Sequence, residues 1–184
     1  MSTTSDKLIA EALQARREGR LQDARRDLAE AVDLSRRADA PMELARALAA
    51  LGQIERDLHN GDTARLHYEE AVAIYRAEGN MPRLAHTIRH LADLHRHEGR
   101  RQLAGSCYDE ALILYRNDAQ TTPLELANAI RGLAILKDDS GDRAQARSLW
   151  TEARDLYAAV AVTEGVTECS QRLARLSEKS GRAD

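Results

Sequence analysis

The sequence predicts an all-α solenoid of four helix pairs closed by a C-terminal capping helix. Three observations carry that prediction. Of 184 residues, 43% are apolar, 31% charged and 3% aromatic, with no Phe, 3 Pro and 10 Gly. A chain so rich in Ala, Leu, Arg and Glu favours helix over strand. A pattern also recurs: Leu8 with Glu11-Ala12, Leu48 with Leu51-Gly52, Ile88 with Leu91-Ala92, and Ile130 with Leu133-Ala134. Each is followed by a second signature, Ala24/Leu28/Ala31, Ala64/Tyr68/Ala71, Ala104/Tyr108/Ala111 and Ala146/Trp150/Ala153, whose last alanines are spaced 40, 40 and 42 residues apart. Such self-similarity marks a repeat architecture. Finally, Gly and Pro fall between amphipathic runs, where they stop one helix or open the next.

Taken in order, the first pair is predicted at 5–18 and 21–38, divided by Gly19. Ala40-Pro41 opens the second pair, 41–59 and 62–78, divided at Asn60-Gly61. Asn80-Met81-Pro82 opens the third, 82–98 and 100–117, divided by Gly99. Thr121-Thr122-Pro123 opens the fourth, 123–139 and 142–160, divided by Gly141. Pro suits the first turn of a new helix, and a left-handed residue suits the end of an old one. The four repeats are therefore 5–38, 41–78, 82–117 and 123–160. A fifth first half with Leu173-Ala174 spans 164–180 and ends near Gly181. Its polar residues Glu168, Gln171, Arg172, Arg175, Glu178 and Lys179 surround a stripe of Val166, Cys169, Leu173 and Leu176, the form of a terminal cap. Small residues at Ala12, Gly52, Ala92 and Ala134 admit the partner helix, Ala24, Ala64, Ala104 and Ala146 accept it, and Tyr68, Tyr108 and Trp150 fill the wedge between successive pairs. One pair cannot bury its apolar face alone, so the whole chain, 1–184, is expected to be one stacked domain.

Composition also excludes. No apolar run approaches the roughly 18 residues that span a bilayer, and Met1-Ser-Thr-Thr-Ser-Asp lacks the apolar core of a signal peptide. A cytoplasmic protein without membrane attachment is expected. The formal net charge of −3 gives no bulk reason to bind nucleic acid. Cys107 and Cys169 have no metal or redox spacing and read as reduced thiols.

The residues quoted above resemble the tetratricopeptide repeat, which couples Leu-Gly or Leu-Ala in a first helix to Ala, an aromatic and Ala in a second. The resemblance covers about 8–181. The long spacing and the endings Ala73-Ile74-Tyr75-Arg76 and Ile113-Leu114-Tyr115-Arg116 look like the long-repeat variety of kinesin light chains and bacterial regulators. Leu8, Leu48, Ile88 and Ile130 replace the usual Trp of the first helix, and Ala15, Glu55, His95 and Lys137 its Tyr. The first unit departs furthest, with Glu11 in the leucine slot and Leu28 in the aromatic slot. The resemblance implies a right-handed superhelix whose concave face, lined by first helices, binds an extended peptide or a partner helix.

Helical geometry locates the inner face independently. At 100° per residue, Leu84, Ile88, Leu91 and Leu94 share one side of the 82–98 helix, and His86, His90, Asp93 and His97 lie opposite within roughly 60°. Arg89 and Arg96 flank this stripe. The same register on neighbouring first helices yields Arg46, Gln53 and Arg56, then Asn128 and Arg131, then Arg172 and Arg175. An Arg- and His-lined face suits an acidic segment or a free carboxylate, because Arg binds carboxylates bidentately. Arg46, Arg56, Arg89 and Arg131 are the expected carboxylate contacts; Gln53, His86, His90, Asp93, His97 and Asn128 would set orientation. A solvated polar face with no single ligand is the competing reading. A chaperone-type carboxylate clamp is not expected, since Arg89 and Asp93 stand where such a clamp would have Lys and Asn. Asp57, Asp138 and Asp139 also interrupt the lining.

His86/His90 and Asp93/His97 are i,i+4 pairs that could chelate a metal, but a structural zinc site wants four ligands and neither Cys is in register, so no cofactor or metal is expected. Histidines titrating near pH 6.5 would strengthen binding of an acidic partner as pH falls. His95 should face the packed side. An enzyme is not expected: there is no phosphate loop, no G-x-S-x-G and no H-E-x-x-H, and Ser106-Cys107 lies inside a second helix. Nucleic-acid binding is disfavoured by the scarcity of aromatics on first helices. The expectation is a non-catalytic protein-interaction module with an acidic partner. The alternative is a self-assembling homo-oligomer, for which Leu8, Ile9, Ala12 and Leu13 offer an apolar surface.

Overall fold

The computed structural model describes residues 3–178. Among them are nine α-helices and no strand: α1 (Thr4–Arg17), α2 (Leu21–Arg37), α3 (Pro41–Asp57), α4 (Gly61–Ala77), α5 (Met81–His97), α6 (Arg101–Asn117), α7 (Pro123–Asp139), α8 (Arg143–Ala159) and α9 (Thr163–Glu178). The predicted all-α repeat of helix pairs is what forms. Each helix starts and ends within two residues of its predicted bounds, save that Lys179, residue 180 and Gly181 of the predicted cap lie outside the described residues.

Seven of the eight connections show how the chain stops a helix. Gly19, Gly79, Gly99 and Gly141 adopt positive φ of 77°, 68°, 74° and 83°, and the non-glycine residues Asp39, His59 and Ala161 adopt 50°, 63° and 56°. Each sits two residues before the next helix begins. The backbone closes the same way in both classes: Gly19 N–H donates to Arg16 O (3.0 Å) and Arg20 N–H to Ala15 O (2.8 Å), while His59 N–H donates to Arg56 O (3.0 Å) and Asn60 N–H to Glu55 O (2.8 Å). One expectation is corrected here. The left-handed residue of the second pair is His59, not Gly61, which already belongs to α4. The exception is the connection before α7, at 118–122, which is two residues longer than 38–40 or 78–80 and accounts for the 42-residue spacing. Asp118 Oδ1 accepts from Gln120 N–H there (2.9 Å). Thr122 then caps α7 by accepting from Glu125 N–H (3.3 Å), while the Glu125 carboxylate accepts from Thr122 N–H (2.9 Å). Thr3 and Asp6 close the start of α1 alike, each bond 3.1 Å. Such reciprocal boxes satisfy amide donors that no helical carbonyl reaches.

The chain divides into two compact units, Met1–Leu94 and His95–Asp184, with the boundary inside α5. In the first, α1 packs on α2, α2 on α3, α3 on α4, and α1 also meets α3. Ile9, Ala12, Ala24, Leu28, Leu48, Ile54, Ala64 and Tyr68 form its buried interior. Gly52 permits the closest approach: a Cβ there would stand 2.9 Å from Tyr68 Cε1 and 3.2 Å from Ala64 O. In the second unit α6 packs on α7, α7 on α8 and α8 on α9, around Tyr108, Ile130, Ala134, Ala146, Trp150 and Cys169. Here the tight contact is at Gly132, where a Cβ would stand 2.5 Å from Tyr108 Cε1. The aromatic slots Tyr68, Tyr108 and Trp150 are no more than 1% exposed. Pairs of ions on the second helices reinforce each unit, Arg36 to Glu70 at 2.7 Å and Arg116 to Glu152 at 3.0 Å. Half-exposed bridges of this kind contribute about 0–1 kcal/mol each, so burial holds the fold and the ions adjust register.

Candidate binding face

Within the first unit, α1, α3 and α5 lie side by side and bring the predicted arginines and histidines together. Amphipathic periodicity puts them there, since each helix gives its small and apolar residues to the interior and turns its polar stripe outward. Contacts between successive first helices run in sequence. Arg46 reaches Asp6 (2.6 Å), Arg16 reaches Asp57 (2.6 Å), and Arg56 Nη1 lies 3.0 Å from His90 Nδ1. Arg89 Nη1 donates to Asp93 (3.0 Å), and its Nη2 lies 2.8 Å from His90 Nε2. Gln53 is half-buried on the same helix as Arg46 and Arg56, and His86 is exposed at the rim.

His90 departs from the sequence reading. It is 7% exposed, stacked on Tyr68 with ring centroids 5.8 Å apart and planes at 7°. Its imidazole is held well below the ordinary 6.5, first by burial, then by the charge of Arg89, the His86 ring and the charges of Arg56 and Arg16. Expecting this histidine to gain charge near pH 6.5 is therefore wrong, because a ring under three guanidiniums and out of water stays neutral. The Tyr68 phenol is pushed up to about 12, chiefly by burial, and is a hydrogen-bond donor at all ordinary pH. Asp6 is held below its usual carboxylate range by the Thr3 backbone amide, then by Arg46.

In the second unit the predicted residues meet partners of their own. Arg96 Nε donates to the Tyr108 hydroxyl (3.3 Å), and its Nη2 lies 3.2 Å from Nε2 of the exposed His97. Arg131 grips Glu168 with two bonds, 2.6 and 2.9 Å. Arg172 reaches Asp138 at 3.5 Å and stacks over Trp150, 5.6 Å from the ring centroid. Asn128 Oδ1 accepts from the Tyr157 hydroxyl (2.8 Å), so its carbonyl end is engaged in packing. Arg175 is exposed.

Arg16, Asp6 and Tyr68 in the first unit, and Tyr157 and Glu168 in the second, thus contact the predicted residues of their own unit without having been among them. A repeat-register comparison would have signalled Arg16, which is spaced 40 residues from Arg56 and again from Arg96. His95 is buried, as expected. Among the described residues no group of three or more His, Cys, Asp or Glu is placed to hold a metal ion; the His86 and His90 Nε2 atoms are 3.2 Å apart and turned to each other. Ser106 Oγ donates to Gln102 O (3.2 Å) within its own helix, and the buried Cys169 thiol is pushed up to about 11, first by burial. Neither arrangement activates a nucleophile. For the oligomer reading, Ile9 and Ala12 are buried in their own unit, while Leu8 and Leu13 are half-buried. Among the described residues no helix is long and apolar enough to cross a membrane.

No protein-family profile and no curated protein matches this sequence. Solved structures do. BtubC (BKLC) from P. vanneervenii superposes with a TM-score of 0.78 at 20% identity over 85% of this chain, which spans 64% of the length of BtubC. The nearly identical TPR-like repeats of a Podosopora anserina kinesin light chain superpose with a TM-score of 0.60 at 15% identity, covering 99% of this chain and 100% of that one. A single-substitution variant of the latter gives the same score and identity, with 99% of each chain covered. The helix pairs, their 40-residue spacing and these likenesses together establish that the chain has the fold of tetratricopeptide-like repeats, as seen in kinesin light chain.

Proposed function

We propose that this protein is a non-catalytic interaction scaffold of the cytoplasm, one domain across 1–184, whose first-helix face binds an acidic extended peptide or partner helix. The repeat fold supports the scaffold part, because such stacks present side chains along successive first helices instead of enclosing a reaction centre. One observation carries the choice of an acidic ligand. The arginines of this face, Arg46, Arg56, Arg89 and Arg131, are part-exposed and engage polar groups of the chain itself, with salt bridges of 2.6–3.0 Å at three of the four. They are therefore pre-oriented guanidinium forks, and a partner carboxylate can share or replace an Asp or Glu at small cost.

Fluorescence anisotropy tests this directly. A labelled peptide alternating Glu and Asp with apolar residues is titrated with the full chain, beside its Gln and Asn counterpart. Saturable binding of the acidic peptide alone, weakened at least tenfold by Arg89→Glu with Arg131→Glu, is the expected result. Equal binding of both peptides, or none, removes the acidic-ligand reading.

Self-assembly is the second reading, and what favours it lies on the second helices instead of α1. Leu66, Leu103 and Ile113 are 58%, 52% and 60% exposed. Light scattering that returns a monomer removes it.

A further inference from the structure

Arg56 and Arg89 aim guanidinium N–H groups at one imidazole from two helices, at 3.0 Å from Nδ1 and 2.8 Å from Nε2 of His90. Guanidinium only donates, and a neutral imidazole has one accepting nitrogen. Whichever tautomer His90 adopts, one of the two contacts sets N–H against N–H. His86 favours one arrangement: with Nδ1 accepting from Arg56, the Nε2–H of His90 can donate to His86 Nε2 at 3.2 Å, and it is the Arg89 N–H that finds no acceptor on the ring. A third donor waits beside them. Tyr68 is 1% exposed, its hydroxyl has no hydrogen-bond partner, and its electrostatic neighbours are Arg56, Asp57, Arg89 and Arg16. Its counterpart one repeat on, Tyr108, meets Arg96 Nε. The slot's polar atom is thus not served alike in every repeat: the Tyr68 hydroxyl and the Trp150 Nε1 have no hydrogen-bond partner, and the Tyr108 hydroxyl has Arg96.

Charge points the same way. Around Tyr68 and His90, the cations Arg16, Arg56 and Arg89 face two carboxylates, Asp57 (with Arg16, 2.6 Å; with Arg56, 3.5 Å) and Asp93 (with Arg89, 3.0 Å). These guanidiniums outnumber the carboxylates they are paired with, and the Tyr68 hydroxyl is a buried donor with no partner. Unsatisfied buried donors are costly, and an acceptor that serves them relieves a cost instead of breaking a good bond.

The geometry points to a binding centre for a single carboxylate between Arg56 and Arg89, with the Tyr68 hydroxyl as an additional donor and His86 at the mouth. The inference rests on the acidic-partner reading for its ligand, an Asp or Glu side chain of the bound segment, and names the place where that one side chain is read. Entry is past Arg56, whose side chain is 27% exposed, and Arg89, at 13%, forms the inner wall. The carboxylate takes the guanidinium N–H that His90 cannot accept.

Arginine Nε–H signals of the ¹⁵N-labelled full chain, titrated with sodium acetate and in separate arms with sodium phosphate and sodium chloride at matched ionic strength, test the centre. Arg56 and Arg89 are expected to shift saturably with acetate, with a dissociation constant on the order of 1–10 mM for so small a ligand, and not with chloride. Arg89→Gln should weaken acetate about tenfold and Tyr68→Phe about three- to tenfold, while Arg116→Gln, on the second helices, should leave it unchanged; circular dichroism confirms that each variant is folded. Shifts linear in acetate, tighter saturation by phosphate, or an equal loss in Arg116→Gln each overturn the centre. Acidic-peptide binding without acetate saturation overturns the centre and leaves the scaffold reading standing. Acetate saturation without peptide binding does the reverse.

Discussion

His90 shows how one buried side chain sets the behaviour of a polar face. In the unfolded chain its imidazole titrates near 6.5, and in the folded chain well below that, because burial and the neighbouring guanidiniums oppose a proton. The unfolded state therefore binds the proton first. The stability linked to His90 is full above about pH 6.5 and falls as pH drops below it toward the folded value. His67 is shifted the same way, first by burial, and adds to the trend. The thermal midpoint should be lower at pH 5.5 than at pH 7.5, and the gap should narrow in His90→Gln, which keeps a neutral hydrogen-bonding group. A gap unchanged by that substitution would show that the imidazole is not held neutral. The arginines and histidines of the face were legible in the sequence, since 3.6-residue periodicity alone places them. The partners of those arginines were not. Asp6 meets Arg46 and Glu168 meets Arg131 only through the lateral register of neighbouring helices, which no single helix encodes. Burial of His90 depends likewise on Tyr68 arriving from another helix to stack on it.

At the scale of the element, helix ends follow a rule of position more than of residue type. The left-handed residue stands two before the next helix, at Gly19, Gly79, Gly99 and Gly141, but also at Asp39, His59 and Ala161. Reading glycine as the signal therefore succeeded at Gly19, Gly99 and Gly141, passed over Gly79 and misplaced the turn at Asn60-Gly61. Ala161 shows the conformational cost most plainly, having a Cβ and no side-chain group to compensate by a local hydrogen bond. Ala161→Gly should raise stability by about 0.5–1 kcal/mol in urea unfolding, the left-handed penalty less the extra entropy glycine gives the unfolded chain. A neutral or destabilising result would mean that the turn before α9 is not held left-handed in solution. Small-residue slots show the same mixture. Gly52 was recognised as a contact for its partner helix, and Tyr68 does press on it. The tightest contact of the second unit is Gly132, two positions before the expected Ala134, because the ring that reaches it belongs to Tyr108 of the preceding repeat.

Over the whole molecule, repetition made the fold readable and left the function less so. Spacings of 40, 40 and 42 residues identify equivalent positions without any structure, and the two additional residues fall in the 118–122 connection. Ion pairs repeat as well: Arg36 to Glu70 in one unit is matched by Arg116 to Glu152 in the other. What does not repeat is informative about function. The aromatic slot carries a partnerless hydroxyl at Tyr68, an Arg96-bonded one at Tyr108 and, at Trp150, an indole under Arg172 whose Nε1 is likewise without a hydrogen-bond partner. Repeats that serve stacking alone have no need of such differences on one face. The central claim, that the first-helix face is where the protein works, is tested most directly by affinity capture from the native cell extract. Three folded baits are run together: the wild type, Arg89→Glu with Arg131→Glu on that face, and Leu66→Glu with Leu103→Glu on the second helices. The account predicts a protein with an acidic segment that the wild type and the leucine variant retain and the arginine variant loses. A partner kept by the arginine variant and lost by the leucine variant would contradict it and move the working surface to the second helices.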